Sequence, residues 1–147
     1  MMRRTSSLGY QVNHLARLLE AALRVRIAPH GVAPGQFAQL LALYERDGVS
    51  QVELCDAVKI DQSTMAHTLR RMERDGLVSR RASELDRRRT DIWLTDHARA
   101  LEPTLVACAV ETNEVATREI STSDLTVTYR VLAQMIRNLE LHAEGTA

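Results

Sequence analysis

Between Asp61 and Met72 the chain reads Asp-Gln-Ser-Thr-Met-Ala-His-Thr-Leu-Arg-Arg-Met, and from Asp86 it reads Asp-Arg-Arg-Arg. At a helical period the first stretch has two unlike sides. Met65, Leu69 and Met72 share one, bordered by Ala66. Ser63, His67, Arg70 and Arg74 share the other, flanked by Gln62, Thr64, Thr68 and Arg71. The Gln62 amide donates and accepts at once, which suits paired hydrogen bonds to adenine. Ser63 can bond several base edges, the Ala66 methyl can meet a thymine methyl, and neutral His67 can donate to guanine N7 or O6. Thr64, Thr68, Arg70 and Arg71 carry the donors and charge that hold phosphates.

The arginine loop complements that helix. Arg88 is expected to enter a minor groove, where narrow A·T-rich DNA concentrates negative potential. Asp86 is expected to pair with an arginine and fix the loop. Arg87 and Arg89 flank it as phosphate contacts or as such partners. Ser50 and Gln51, at a helix start, are further phosphate candidates through side chain and backbone N–H. Plainer readings stand beside these. His67 would be an ordinary solvated histidine, Arg70, Arg71 and Arg74 would pair with Glu73 or other local acids, and Asp86–Arg89 would be a solvated charge run.

Such side chains need a frame. Ser50-Gln51-Val52-Glu53 is a capping box, opening a short helix that reaches Val58. Lys59-Ile60 turns the chain, and Asp61 is a good cap for the next helix, which stops at Asp75-Gly76. This is a helix-turn-helix pattern. Leu77–Arg81 and Asp91–Thr95 read as two strands, with the loop between them too long for a tight turn, so it should project as a wing. Upstream, Pro29, Gly31 and Pro34 mark a loop, and Pro34 fits the first turn of a helix carrying Phe37, Leu40, Leu41 and Tyr44 that ends at Asp47-Gly48.

Long helices flank this unit. From Ser7 to about Ile27 the stripe Leu8, Val12, Leu15, Leu19, Ala22, Leu23 is widened by Leu18, Val25 and Ile27, which suits either a partner subunit or the chain's own core. Thr95 should cap a helix from about Asp96 to Arg118, with Pro103 kinking or delaying it. Ser121-Thr122-Ser123-Asp124 offers a second capping box for a last helix. Residues 1–6 and the tail beyond His142 are expected to be loose.

At 147 residues the chain is expected to be one domain, and 45 % apolar, 26 % charged and only 3 % aromatic residues argue for a mostly helical one. The net charge is zero, but residues 1–28 carry +4, 29–58 carry −3, 59–95 carry +3 and 96–147 carry −4. Positive charge thus gathers at the N-terminal segment and the central unit. Cys55 and Cys108 lie far apart, no signal peptide is recognisable, and no apolar run approaches a membrane span, so the cytoplasm is the expected compartment. His14, His30, His97 and His142 lack metal-ligand spacing. No nucleophile–base pair and no glycine-rich phosphate loop is present, so neither enzymatic activity nor a cofactor is expected.

The order of elements resembles the multiple-antibiotic-resistance regulator (MarR) family over nearly the whole chain. Asp86-Arg87-Arg88-Arg89-Thr90-Asp91-Ile92-Trp93-Leu94-Thr95 is similar to the family's wing signature, and Leu69–Val78 to the end of its recognition helix. Ala98, where many relatives have glycine, and Trp93, usually polar or aliphatic, depart from it. The resemblance implies a mainly α fold with a small two-stranded β wing. It also implies a single domain over 1–147, with dimerisation helices at about 7–28 and 96–142 and a winged helix-turn-helix at about 35–95. It further implies a homodimer on double-stranded DNA, reading a near-palindromic operator with half-sites about one helical turn apart. A small, often aromatic, effector ligand that releases DNA is part of the same expectation, as is the role of repressor. The residues alone leave two other classes open: a winged-helix protein-interaction module without DNA binding, and a thiol-based redox-sensing regulator using Cys55 or Cys108.

Overall fold

Polar caps start most of the helices, and a glycine ends one of them. In the computed structural model, which describes residues 3–145, the helices are α1 Leu8–Ile27, α2 Pro34–Glu45, α3 Gln51–Val58, α4 Gln62–Arg74, α5 Asp96–Ala116 and α6 Thr122–Glu144. The strands are β1 Val49–Ser50, β2 Val78–Ala82 and β3 Thr90–Leu94. Two compact units make up the chain, with the boundary in sequence after Thr112.

The caps follow the sequence. Ser7, Ser50, Asp61 and Ser121 each accept a backbone N–H from the first turn of the helix they start. Pro34 occupies the first turn of α2. At the end of α4 the Gly76 N–H bonds to Glu73 O (3.1 Å) and the Leu77 N–H to Met72 O (2.9 Å). With Gly76 at φ +71, this is a Schellman stop. Of the ends expected to be loose, residues 1–2 and 146–147 lie outside the described residues. Arg4–Ser6 forms a short 3-10 turn, and α6 continues past His142 to Glu144.

The core belongs to the first unit. Ile27, Leu40, Leu43, Leu54, Met65, Leu69, Met72, Leu77, Ile92 and Leu105 are fully buried there. They join α1's last turn, α2, α3, α4, the sheet and the first half of α5.

The sheet has three strands rather than two, in the order β1-β3-β2, all antiparallel, with Val49 and Arg80 both opposite Ile92. β1 is two residues long, too short to leave an alternation in the sequence. β2 and β3 are each displaced by one residue from expectation. The Leu77 N–H is already engaged in closing α4. The Thr95 hydroxyl caps α5, accepting from the Ala98 N–H (3.1 Å) and donating to Gly76 O (2.7 Å). α5 begins at Asp96 without delay and continues through Pro103. Pro103 and Arg99 are both exposed, so the carbonyl that loses its donor lies where water can reach it.

One corner holds the sheet to the helices. Asp47 Oδ1 accepts from the N–H groups of Gly48 and Leu94, each at 2.9 Å, while Oδ2 pairs with Arg99. Gly48 sits at φ +67 with the Trp93 ring against it, so an added Cβ would fall 2.4 Å from a ring carbon. Gly48→Ala therefore combines left-handed strain with overpacking and should cost about 2–4 kcal/mol. The check is a lowered urea midpoint with unchanged slope, followed by the fluorescence of Trp93, the chain's single tryptophan.

Candidate nucleic-acid interface

α4 owes its orientation to its apolar stripe. Met65, Leu69 and Met72 are all 0 % exposed. The opposite side is therefore turned outward, and Gln62, Ser63, Thr64, His67, Arg70 and Arg71 are exposed, with Ala66 and Thr68 half-buried on its flanks. His67 and Arg70 have no bonding partner among the described residues. Arg71 closes no ion pair there, whereas Arg74 pairs with Asp75 at 3.0 Å, its plainer reading.

Several predicted phosphate ligands also serve the local structure. Asp61 accepts both the Thr64 N–H (2.8 Å) and the Thr64 hydroxyl (2.7 Å), so that hydroxyl proton is turned into the cap. Ser50 and Glu53 close a reciprocal box: the Ser50 N–H donates to Glu53 Oε2 (2.7 Å) and Ser50 Oγ accepts the Glu53 N–H (3.2 Å). The Ser50 N–H is thereby engaged by a carboxylate rather than turned outward. Gln51 lies alongside Gln62, its Nε2 donating to the Gln62 carbonyl and side-chain oxygen at 3.3 and 3.2 Å.

The wing has a fixed base and a free tip. Asp86 pairs with an arginine, as expected, and the arginine is Arg88: Oδ1 accepts the Arg88 N–H (3.0 Å) and Nε (3.2 Å). The Arg88 side chain is nonetheless 92 % exposed. Arg87 has no partner among the described residues. Arg89 turns inward, to Asp91 (2.6 Å) and to Glu53 on α3 (2.8 Å), so of its two expected roles the geometry favours that of a partner. Ser83 and Asp91 are buried at the base. Sequence reasoning missed Glu53 as the wing's anchor; its only signal was the capping box. It also missed Arg80, paired with Glu73 (3.0 Å), and Arg81, stacked 5.6 Å from the Trp93 ring centre.

These partners shift the acids. The Ser50 N–H, then its hydroxyl and the nearby Arg89 and Arg46, hold Glu53 below the usual carboxylate range. Thr64 does the same for Asp61, the Arg88 N–H and side chain for Asp86, Arg89 for Asp91, and Arg74 with Gln36 for Asp75. Burial pushes the Cys55 thiol up, away from the thiolate that peroxide sensing requires. The Cys108 Sγ lies 3.6 Å from Arg26 O. Among the described residues no group of three His, Cys, Asp or Glu could hold a metal, and no helix is long and apolar enough to cross a membrane.

An amphipathic second helix exposed beside an arginine-tipped hairpin defines a winged helix-turn-helix. Residues 30–89 match the model described as MarR family. A MarR transcriptional regulator from Methanosarcina mazei Go1 superposes with a TM-score of 0.80 at 29 % identity, over 91 % of this chain and 97 % of that one. A putative MarR family regulator from Listeria monocytogenes, solved with a 26mer DNA, gives 0.82 at 21 % identity, over 94 % and 90 %. Bordetella bronchiseptica BpsR, whose DNA binding is regulated by 6-hydroxynicotinic acid, gives 0.83 at 21 %, over 92 % and 96 %. Over residues 30–89 the chain is thus similar to the MarR family of transcriptional regulators, and it shares the fold of solved members of that family.

The lowered carboxyls set the acid response. Each ionises more readily folded than unfolded, so below about pH 4 the unfolded chain binds more protons. Stability should be fully present above the ordinary carboxylate range and fall as pH drops through the lowered values. Urea midpoints between pH 7 and 3 check this, and Glu53→Gln should flatten the acid limb.

Proposed function

We propose that two copies of this chain bind a near-palindromic operator as a repressor, each placing α4 in a major groove and Arg88 in the adjoining minor groove. The observation that carries this is the outward face of α4. It is polar and solvated, with His67 and Arg70 free, on a helix whose opposite face is wholly buried. In this reading Gln62, Ser63, Ala66 and His67 meet base edges. Thr68, Arg70, Arg71 and Gln51 meet phosphates, and Arg87 adds charge at the wing. Thr64, Ser50, Asp86 and Arg89 hold that surface in shape.

Pairing of two chains is supported by uncovered apolar faces. On α1, Leu8, Leu15 and Leu18 are 58, 53 and 57 % exposed, and on α6 Ile136 and Leu139 are 56 and 70 % exposed. Exposed leucines in such number call for a partner surface. A small aromatic effector that changes DNA affinity is supported by the similar regulator from Bordetella bronchiseptica. Both cysteines are free thiols, which suits a reducing cytoplasm.

Selecting bound duplexes from random DNA tests the reading, and an absence of any enriched sequence would overturn it. On the selected duplex His67→Ala should relax preference at one base position by about 1–3 kcal/mol. Arg88→Ala should weaken binding most where A·T-rich sequence adjoins the major-groove contacts. Leu15→Asp should leave the helix formed but give a monomer in sedimentation velocity, with DNA affinity lost in parallel.

A further inference from the structure

Beside the recognition helix lies a cleft of about 300 Å³, lined by Arg24, Ala33, Pro34, Gly35, Gln36, Thr68 and Arg71. It brings together the last turn of α1, the first turn of α2 and one flank of α4. Two arginines reach it from different elements. Among the described residues the Arg24 side chain pairs only with Glu20, one turn back on α1, at 2.6 Å, with both side chains more than half exposed. Such a pair is readily given up to a stronger anion. Asp75 lines an overlapping cleft that shares Arg24, Ala33, Pro34, Gln36 and Arg71, and its carboxylate already holds the Gln36 amide (2.8 Å) and Arg74 (3.0 Å). The Gln36 side-chain oxygen in turn accepts the Ala33 N–H at 3.0 Å, fixing the first turn of α2 as a wall of the cleft.

At a helical period Thr68 and Arg71 lie on one flank of α4, about a quarter turn or more from the outward line of Ser63, His67 and Arg70. Gln62, with Gln51 beside it, lies on the other flank. A helix lying in a major groove about 12 Å wide has a phosphate wall on each side. Gln51 stands toward one wall and this cleft toward the other. We propose that the cleft seats a DNA backbone phosphate. Arg24 and Arg71 supply charge, the Thr68 hydroxyl donates, and the missing side chain of Gly35 leaves room for close approach. This rests on the DNA-binding reading and deepens it, bringing a residue of α1 into the contact. The contact carries no base information and adds to affinity on every sequence.

Two full-length variants test it, Arg24→Gln and Gly35→Asp. A Cβ at Gly35 meets nothing within 4 Å, and its φ is not left-handed. An aspartate in the first turn of α2 also favours the helix. Gly35→Asp should therefore melt no lower than the parent while placing negative charge in the seat. Fluorescence anisotropy on the selected duplex, at several salt concentrations, should show roughly tenfold weaker binding for each. The plot of log affinity against log salt should be shallower by about 0.9 per lost contact, or about 1.8 for a symmetric pair of half-sites. The ranking of selected sequences should not change.

Equal affinity and slope in parent and variants overturns the seat while leaving the DNA reading intact. A parent that binds no duplex overturns both. Inorganic phosphate that raises the parent's melting temperature through Arg24, with DNA salt slopes unchanged in the variants, identifies a free-anion site and overturns the proposal.

Discussion

The exclusion of Met65, Leu69 and Met72 from solvent fixes the roll of α4 about its own axis, and the rest of the surface inherits its direction from that. Burial of each such side chain is worth about 1.5–3 kcal/mol. Rolling the helix by even one residue would uncover part of all three together. The outward line of Ser63, His67 and Arg70 is thus set by residues that never leave the core. The helix needs little intrinsic propensity on its polar face, which is free to carry histidine, serine and threonine.

Carboxylates distribute that order to the surroundings. Exposed ion pairs contribute little singly. Here three acids each hold two or more partners. Asp47 reaches Gly48, Leu94 and Arg99; Glu53 reaches Ser50, Arg46 and Arg89; Asp75 reaches Arg74 and Gln36. The result is graded stiffness in the wing. Its base is buried at Ser83 and Asp91, and its tip at Arg87 and Arg88 stands in solvent.

Local rules were legible in the sequence, and long-range ones were not. The two faces of α4, the Ser50 and Asp61 caps and the Asp75-Gly76 stop each depend on residues within a turn or so of one another. β1 left no trace because two residues cannot alternate. The inward turn of Arg89 uses Asp91, two residues on, together with Glu53, 36 residues away, and only the fold brings the second partner in. The cleft needs Arg24, Gly35 and Arg71 in one place, which only the packed chain supplies. Trp93 looked like a departure from the family; its ring lies where only glycine at 48 leaves room.

Ser50 ends β1 and also caps α3. Its neighbour in the sheet is Asp91, which carries Arg89 at the root of the hairpin. One residue therefore joins the start of α3 to the root of the hairpin. In the proposed complex, the Arg89 pairs with Glu53 and Asp91 set the width between α4 and the root of the hairpin, while the tip stays free. A duplex whose grooves do not match that width must bend or twist to fit, so discrimination would extend to base pairs no side chain touches, through how readily they deform.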